Sequence, residues 1–282
     1  MLEPPISSRR NPLIKRLRAL STRSGRKKAR LILLEGTHLV QELLAVGGCP
    51  TELIATEAWL DRHEYLIKKF DATVTWRLVT NEVLRTTLTT TNPDGVACSC
   101  PLTMLPEPPS TCDFQLVLDR IQDPGNLGTL LRTALAAEIQ VVWMGSGVDP
   151  LAPKAIRASA GALLRLPHQR FGPDESQAIQ QLEQALKEQA SQGVQVVATL
   201  VPDANSLMKL IPYWELDWTR PTSLVLGTEG AGLHPCLRAC CTHAVTLPHS
   251  PRVKSLNVAA AAVPLLMERR RATMTAISQR FG

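Results

Sequence analysis

Aromatic residues make up only 4% of the 282-residue chain, which leaves few side chains on which unpaired bases or flat ligands can stack. Trp59, Trp76, Trp214 and Trp218 are therefore read equally as core residues or as stacking platforms. No apolar run approaches the roughly 18–20 residues that a membrane-spanning helix needs, so the sequence reads as soluble, with no membrane partner. The dinucleotide fingerprint G-x-G-x-x-G and the phosphate loop G-x-x-x-x-G-K-[ST] are both absent, and a nicotinamide-dependent oxidoreductase lacks its motif. None of the seven cysteines forms a C-x-x-C pair. Their number is odd and no secretory signal precedes them, which fits a reducing compartment, buried thiols and no bound metal. Cys98-x-Cys100 and Cys236-x3-Cys240-Cys241 are poorly spaced for zinc. Internal repeats and low-complexity segments are also missing.

Acidic residues are scarce in one place only. Residues 1–30 hold ten Lys/Arg against a single acid, Glu3, whereas the rest of the chain carries 21 basic and 24 acidic residues. The net charge of +6 is therefore an N-terminal property. Clustered positive charge is the footprint of a polyanion partner, most simply nucleic acid. A floppy solvated end and an Arg-rich transit peptide are the alternatives. Ile14, Leu17 and Leu20, spaced along one face of a helix over roughly 10–21, favour a folded element.

The stretch PLTMLPEPPS (101–110) has four prolines in ten residues and neither strand nor helix periodicity. It reads as a stiff linker, over 101–112, between a first domain at 1–100 and a second at 113–282. The first domain combines LILLEG, ELIAT, TVTWRLV and GVACSC as strands with intervening helices, among them THLVQELLA with Thr37 as its cap. In the second, the apolar strands QLVLD, IQVVWM, VQVVATL, SLVLG and HAVTL alternate with helices. That pattern predicts a parallel α/β sheet covered on both faces. Ligands of such sheets bind beyond the carboxyl ends of the strands. There the sequence places RIQDPGNLG, VPDANS, TEGAGLHP and PHSPRVKSLN. Glycines 227, 230 and 232 suit close backbone approach to a ligand, and Ser255 and Asn257 suit a helix start.

NLGTLLR, LGTEGAGL and LPHSPRVKSLNVAAAA resemble, in order and spacing, the three motifs of the SpoU family of RNA 2′-O-ribose methyltransferases, the TrmH-like branch of the SPOUT enzymes. LILLEGTHLV and TTNPDGVA are similar to that family's small RNA-binding domain. The resemblance implies a parallel-sheet SPOUT domain with a deep trefoil knot, preceded by a small α/β RNA-binding domain, and a homodimer. It implies S-adenosylmethionine as cofactor, gripped at Thr199, Leu200, Gly227, Leu247 and Leu256. Asn126, Arg132, Glu229, Ser255 and Asn257 take the positions of the family's catalytic residues. That accounts for Asn126 and Arg132 standing six residues apart beside a tight turn. Arg9, Arg10, Lys15, Arg16 and Arg18 match its basic start and are expected to contact RNA phosphates.

The chain departs from the family pattern at His249, Pro251 and Lys254. These positions put loop geometry and affinity in question more than reaction type, Pro251 by stiffening the loop that lines the donor pocket. The implied function is methylation of ribosomal RNA in the cytoplasm, with organelle import as the minor location. A tRNA substrate, or a non-catalytic RNA-binding or ribosome-assembly role on the same fold, stands as the alternative.

Overall fold

The computed structural model describes residues 4–71, 74–202, 208–228 and 230–281. They form two compact units: Met1–Pro106 with Asp149–Arg165, and Glu107–Val148 with Leu166–Gly282. The break at 106/107 falls inside the proline-rich stretch. Residues 149–165, which the sequence reading placed in the second domain, cluster instead with the first.

The first unit begins with α1 (Pro12–Ala19) and α2 (Arg23–Ala29). It continues through β1 (Leu31–Glu35), α3 (Thr37–Ala45), β2 (Glu52–Ala55), α4 (Glu57–Arg62), α5 (Glu64–Ile67), β3 (Thr75–Leu78), α6 (Asn81–Thr87) and β4 (Val96–Pro101). Its sheet runs in the order β1-β4-β2-β3, with β4 antiparallel to both neighbours and β2 parallel to β3. Ile14, Leu17 and Leu20 pack into the core with Leu33, Ile54, Val83 and Leu84. The apolar face read from the sequence is thus a buried face of a folded helix. Thr37 does not cap α3. Gly36, at φ 99°, is the cap residue, while the Thr37 hydroxyl accepts a hydrogen bond from Trp59 Nε1 at 2.7 Å. Trp59 is accordingly a core residue, and so is Trp218 in the second unit, whereas Trp214 is exposed.

The second unit opens with β5 (Phe114–Leu118), α7 (Pro124–Ala136) and β6 (Val141–Met144). The chain then supplies α8 (Pro153–Ala158) to the first unit before β7 (His168–Arg170), α9 (Glu175–Ser191), β8 (Gln195–Thr199) and β9 (Leu210–Pro212). It ends with β10 (Thr222–Leu226), α10 (Pro235–Ala239), β11 (His243–Thr246) and α11 (Val258–Phe281). Seven strands run in the order β7-β6-β5-β10-β8-β11-β9, and every pairing is parallel. The inner strands β5, β6, β8 and β10 are mostly apolar because helices cover the sheet, whereas the edge strand β7 is polar and only partly buried. Ala178, Leu182 and Leu186 of α9 pack on Val117, Val196, Ala198 and Val225. The register brings Leu226 level with Leu118, and Val245 level with Thr199, so the carboxyl ends share one edge.

Two buried charge pairs explain why residues 149–165 belong to the first unit. Arg26, itself buried, pairs with Asp149 at 2.6 Å. The fully buried Glu35 carboxylate pairs with Arg157 and accepts from the Thr89 backbone N–H at 2.8 Å and the Thr90 N–H at 3.2 Å. Removing one member of such a pair strands the other without a counter-charge. Arg157→Ala is therefore expected to lower stability by about 3 kcal/mol in urea unfolding, the lower end of that effect because the Thr89 and Thr90 donors remain. A variant as stable as the parent would show that the pair does not hold this segment.

Candidate active site

The carboxyl edge of the parallel sheet carries a cavity of about 420 Å³. That lies within the range of about 300–1,000 Å³ usual for small-molecule sites. Its wall comes from the segments that follow β8, β10 and β11: Thr199 and Leu200, Gly227 and the 230–233 turn, then Leu247, His249, Ser255 and Leu256. All five residues expected to hold a cofactor, Thr199, Leu200, Gly227, Leu247 and Leu256, line it, as does Ser255. Pro251 and Lys254 are exposed and do not. Glu229 and most of VPDANS lie outside the described residues.

The wall is tight where it is backbone. A side chain at Gly227 would collide with the backbone of Gly232 and Leu233. Gly232 itself sits at φ 69°, which glycine adopts without strain. Two hydroxyls inside the cavity, Thr199 Oγ1 and Thr246 Oγ1, are buried and have no hydrogen-bond partner among the described residues. Buried polar groups are normally satisfied, so these two are available to a ligand. The ring of His249 stands beside them with Nδ1 2.7 Å from the Leu247 carbonyl. A carbonyl only accepts, so Nδ1 carries the hydrogen.

Next to the cavity the first turns of α7 and α11 meet. Asp123 caps α7 by accepting from the Asn126 N–H at 2.9 Å, with Pro124 at the first helical position. Asn257 caps α11, its Oδ1 accepting from Ala259 N at 2.9 Å and Ala260 N at 3.1 Å. Because that oxygen is committed to backbone, its Nδ2 is the donor to Asn126 Oδ1, at 3.0 Å. The helix therefore starts at Val258, and Asn257 is its cap. The structure thus joins Asn126 to Asn257 and puts Ser255 in the cavity wall. Arg132 lies exposed on α7, forms no ion pair among the described residues and does not line the cavity.

The sequence reading missed Asp119. This carboxylate ends β5, is 1% exposed, and is gripped by Arg120 Nε at 3.1 Å. It also accepts from the His234 backbone N–H at 2.9 Å, which ties the 230–234 turn to the neighbouring strand. The only signal was a charge closing an apolar run at the sheet's ligand edge. Thr246 was missed as well, hidden inside a strand. The cysteines stay apart from this chemistry. Burial pushes the Cys98 thiol up and the Cys100 and Cys241 thiols to about 12, which keeps them protonated. Among the described residues no three His, Cys, Asp or Glu side chains are placed to hold a metal.

A cavity at the carboxyl edge of a parallel sheet, walled by glycine turns and beside two capped helix starts, defines an α/β protein with a small-molecule site. The chain belongs to the SpoU rRNA methylase family, whose model matches residues 113–267, and residues 11–98 match an MRM3-like substrate binding domain. It is 40% identical over 269 residues to an uncharacterized tRNA/rRNA methyltransferase of Synechocystis, covering 94% of this chain and 93% of that one. It is 29% identical over 262 residues to the 23S rRNA (guanosine(2553)-2′-O)-methyltransferase RlmP of Bacillus subtilis, covering 93% and 97%. Its fold matches the crystal structure of an AdoMet-bound rRNA methyltransferase from Sinorhizobium meliloti. The TM-score is 0.76 at 29% identity, over 95% of this chain and 97% of that one.

Asp119→Ala would leave the His234 N–H and the Arg120 guanidinium without their buried acceptor, a loss of about 1.5–3 kcal/mol for hydrogen bonds to a charged group. Amide hydrogen exchange at 232–234 is expected to quicken roughly 10- to 100-fold by that figure, while β5, β8 and β10 stay protected. Unchanged exchange at 232–234 would mean that Asp119 does not secure the turn.

Proposed function

We propose that this protein is an S-adenosylmethionine-dependent RNA 2′-O-ribose methyltransferase acting on ribosomal RNA. One observation carries the reading. The cavity and the Asn126–Asn257 pair meet at a single sheet edge, and together they draw on all three segments that bear the family motifs. The 23S rRNA activity of the Bacillus subtilis relative, which aligns over both units, supports ribosomal RNA over tRNA. The cavity also fits the cofactor. Its size suits a nucleoside-sized ligand, the missing side chain at Gly227 leaves backbone open to close approach, and the Thr199 and Thr246 hydroxyls have no partner among the described residues.

In this reading Thr199, Leu200, Gly227, Leu247 and Leu256 would hold the donor, which when bound would supply an electrophilic methyl on a sulfonium. A ribose 2′-oxygen would take that methyl as the S–C bond breaks to leave a neutral thioether, and the hydroxyl proton would pass to solvent. Arg132 does not take the proton, because a guanidinium stays charged in proteins. It stabilises the charge that develops on the 2′-oxygen and holds the adjacent phosphate. Asn126, Ser255 and Asn257 orient the ribose, and Glu229 belongs with them. Of the five residues expected to contact RNA, Arg10, Lys15 and Arg18 meet phosphates, while Arg9 and Arg16 are held by Glu82 and Glu52. The reading includes the trefoil knot, a cytoplasmic location and a homodimer. No helix among the described residues is long and apolar enough to cross a membrane, and α11 exposes Val263, Met267 and Met274, a surface suited to a second copy.

Transfer of labelled methyl from S-adenosylmethionine to ribosomal RNA and tRNA, each purified from cells lacking the protein and digested to nucleosides, tests the function. A 2′-O-methyl nucleoside from ribosomal RNA is expected. A product from tRNA alone would move the substrate, and a chain that does not bind the donor would be the non-catalytic alternative. Arg132→Ala is expected to cut turnover at least about 100-fold, the effect of removing one group that stabilises transition-state charge, while donor affinity stays at the parent value. Full turnover in that variant would take Arg132 out of the reaction. Gly227→Ala should do the reverse and abolish donor binding measured by calorimetry, since its side chain would force the 227 and 232–233 backbones apart.

A further inference from the structure

The ten basic residues of the first thirty are not equivalent once folded. Arg9 pairs with Glu82 at 2.8 Å and Arg16 pairs with Glu52, so two of the expected phosphate-binding residues are neutralised within the unit. Arg26 is buried, donating from Nη1 to the Leu20 carbonyl at 2.7 Å and pairing through Nη2 with Asp149 at 2.6 Å. Helix α2 is a different case. Arg23, Lys27 and Lys28 are exposed, Arg30 follows in its C-terminal cap position, and the helix contains no acid. Among the described residues none of these four has an acidic partner.

A seven-residue helix of this composition would not form alone. Arg23 and Lys27 are like charges one turn apart, and Arg23 in the first turn opposes the helix dipole. The fold imposes the helix by other means. Thr22 caps it, accepting from Gly25 N at 3.1 Å. Gly25 packs so closely on the Ala19 carbonyl that a side chain there would collide with it. Arg26 pins the inward face. The result is a rigid cluster of uncompensated cations. A membrane-surface helix needs a large apolar face to insert, and the only aliphatic side chain on α2 is Ala29. Such a cluster suits phosphate oxygens instead.

We propose that the outward face of α2, Arg23, Lys27 and Lys28 with Arg30 beyond its end, is a preformed phosphate-gripping element for RNA, and that the Arg26–Asp149 pair is the positioning contact that holds it. The identity of the partner rests on the methyltransferase reading; the rigid cationic face does not. Asp149 lies on the connection from β6 to β7, so the clamp draws on the chain that links two strands of the second unit.

The test is filter binding of ribosomal RNA from cells lacking the protein to the full-length chain across a salt series, with S-adenosylmethionine binding measured alongside. Lys27→Glu with Lys28→Glu is expected to weaken RNA binding at least tenfold and to flatten the log–log salt slope by about 1.4–1.8, at roughly 0.7–0.9 for each phosphate no longer neutralised, with donor binding unchanged. Asp149→Asn separates clamp from charge. It makes the chain more positive, so general attraction alone would tighten RNA binding, whereas loss of the clamp weakens it severalfold. Parent affinity and slope in the lysine variant overturn the phosphate face, and tighter binding by Asp149→Asn overturns the clamp. A parent chain that binds the donor but not the RNA overturns this inference alone; one that binds neither overturns the proposed function too.

Discussion

All seven strands of the larger sheet point one way, and the site depends on that constraint. A parallel strand cannot turn straight back, so each strand hands its chain to a helix or a loop at the same edge. β5 leads into α7, β10 into α10 and β11 into α11, and the first turns of these helices gather where the strands end. Each brings backbone N–H groups that no carbonyl of its own helix can satisfy, and the positive end of its dipole. The Asn126–Asn257 hydrogen bond fastens two of those starts to each other. Asp119 fastens the intervening turn to β5. Neither contact forms unless the register brings Leu118 and Leu226 level, so the site's geometry is set by strand pairing before any functional side chain is considered.

The same constraint decides how much of the molecule was legible in the sequence. Strands buried on both faces read as unbroken apolar runs, so QLVLD, VQVVATL and SLVLG could be found, and their carboxyl ends could be searched for a site. The glycines at 227, 230 and 232 marked the tight turn, Gly227 because a side chain would meet the 232–233 backbone and Gly230 and Gly232 because they take positive φ. Asp119 could not be found this way, since its role is a bond to a backbone N–H 115 residues away. Residues 149–165 fall within the matched methylase segment, yet their packing was not legible in the sequence. APKAIRASAGA has a helical pattern but no signal of which core it meets, and the partners of this segment, Arg26 and Glu35, lie more than a hundred residues earlier. Thr37 was read as a cap on propensity, but Gly36 could adopt the positive φ that the turn required and left the hydroxyl to the Trp59 indole. At His249 the departure from the family pattern is absorbed locally, the ring turning its own N–H onto the Leu247 carbonyl.

Charge shows the difference between what composition counts and what a fold makes available. The net +6 is a sum over residues, but an arginine salt-bridged to a neighbour has little left to offer a polyanion, and a buried one has almost nothing. Folding sorts the N-terminal cations into three kinds: those paired at the surface such as Arg9 and Arg16, the structural Arg26, and those left outward with no acidic partner among the described residues, which are Arg10, Lys15 and Arg18 around α1 and the four on and just after α2. The third kind costs stability through mutual repulsion, and the second holds its α2 members in place. A buried arginine is worth its desolvation only where it has several acceptors, and Arg26 has the Leu20 carbonyl and the Asp149 carboxylate. Its position six residues after Leu20 sets the end of α1 against α2, so the residue that carries no charge to the surface determines where the surface charges stand.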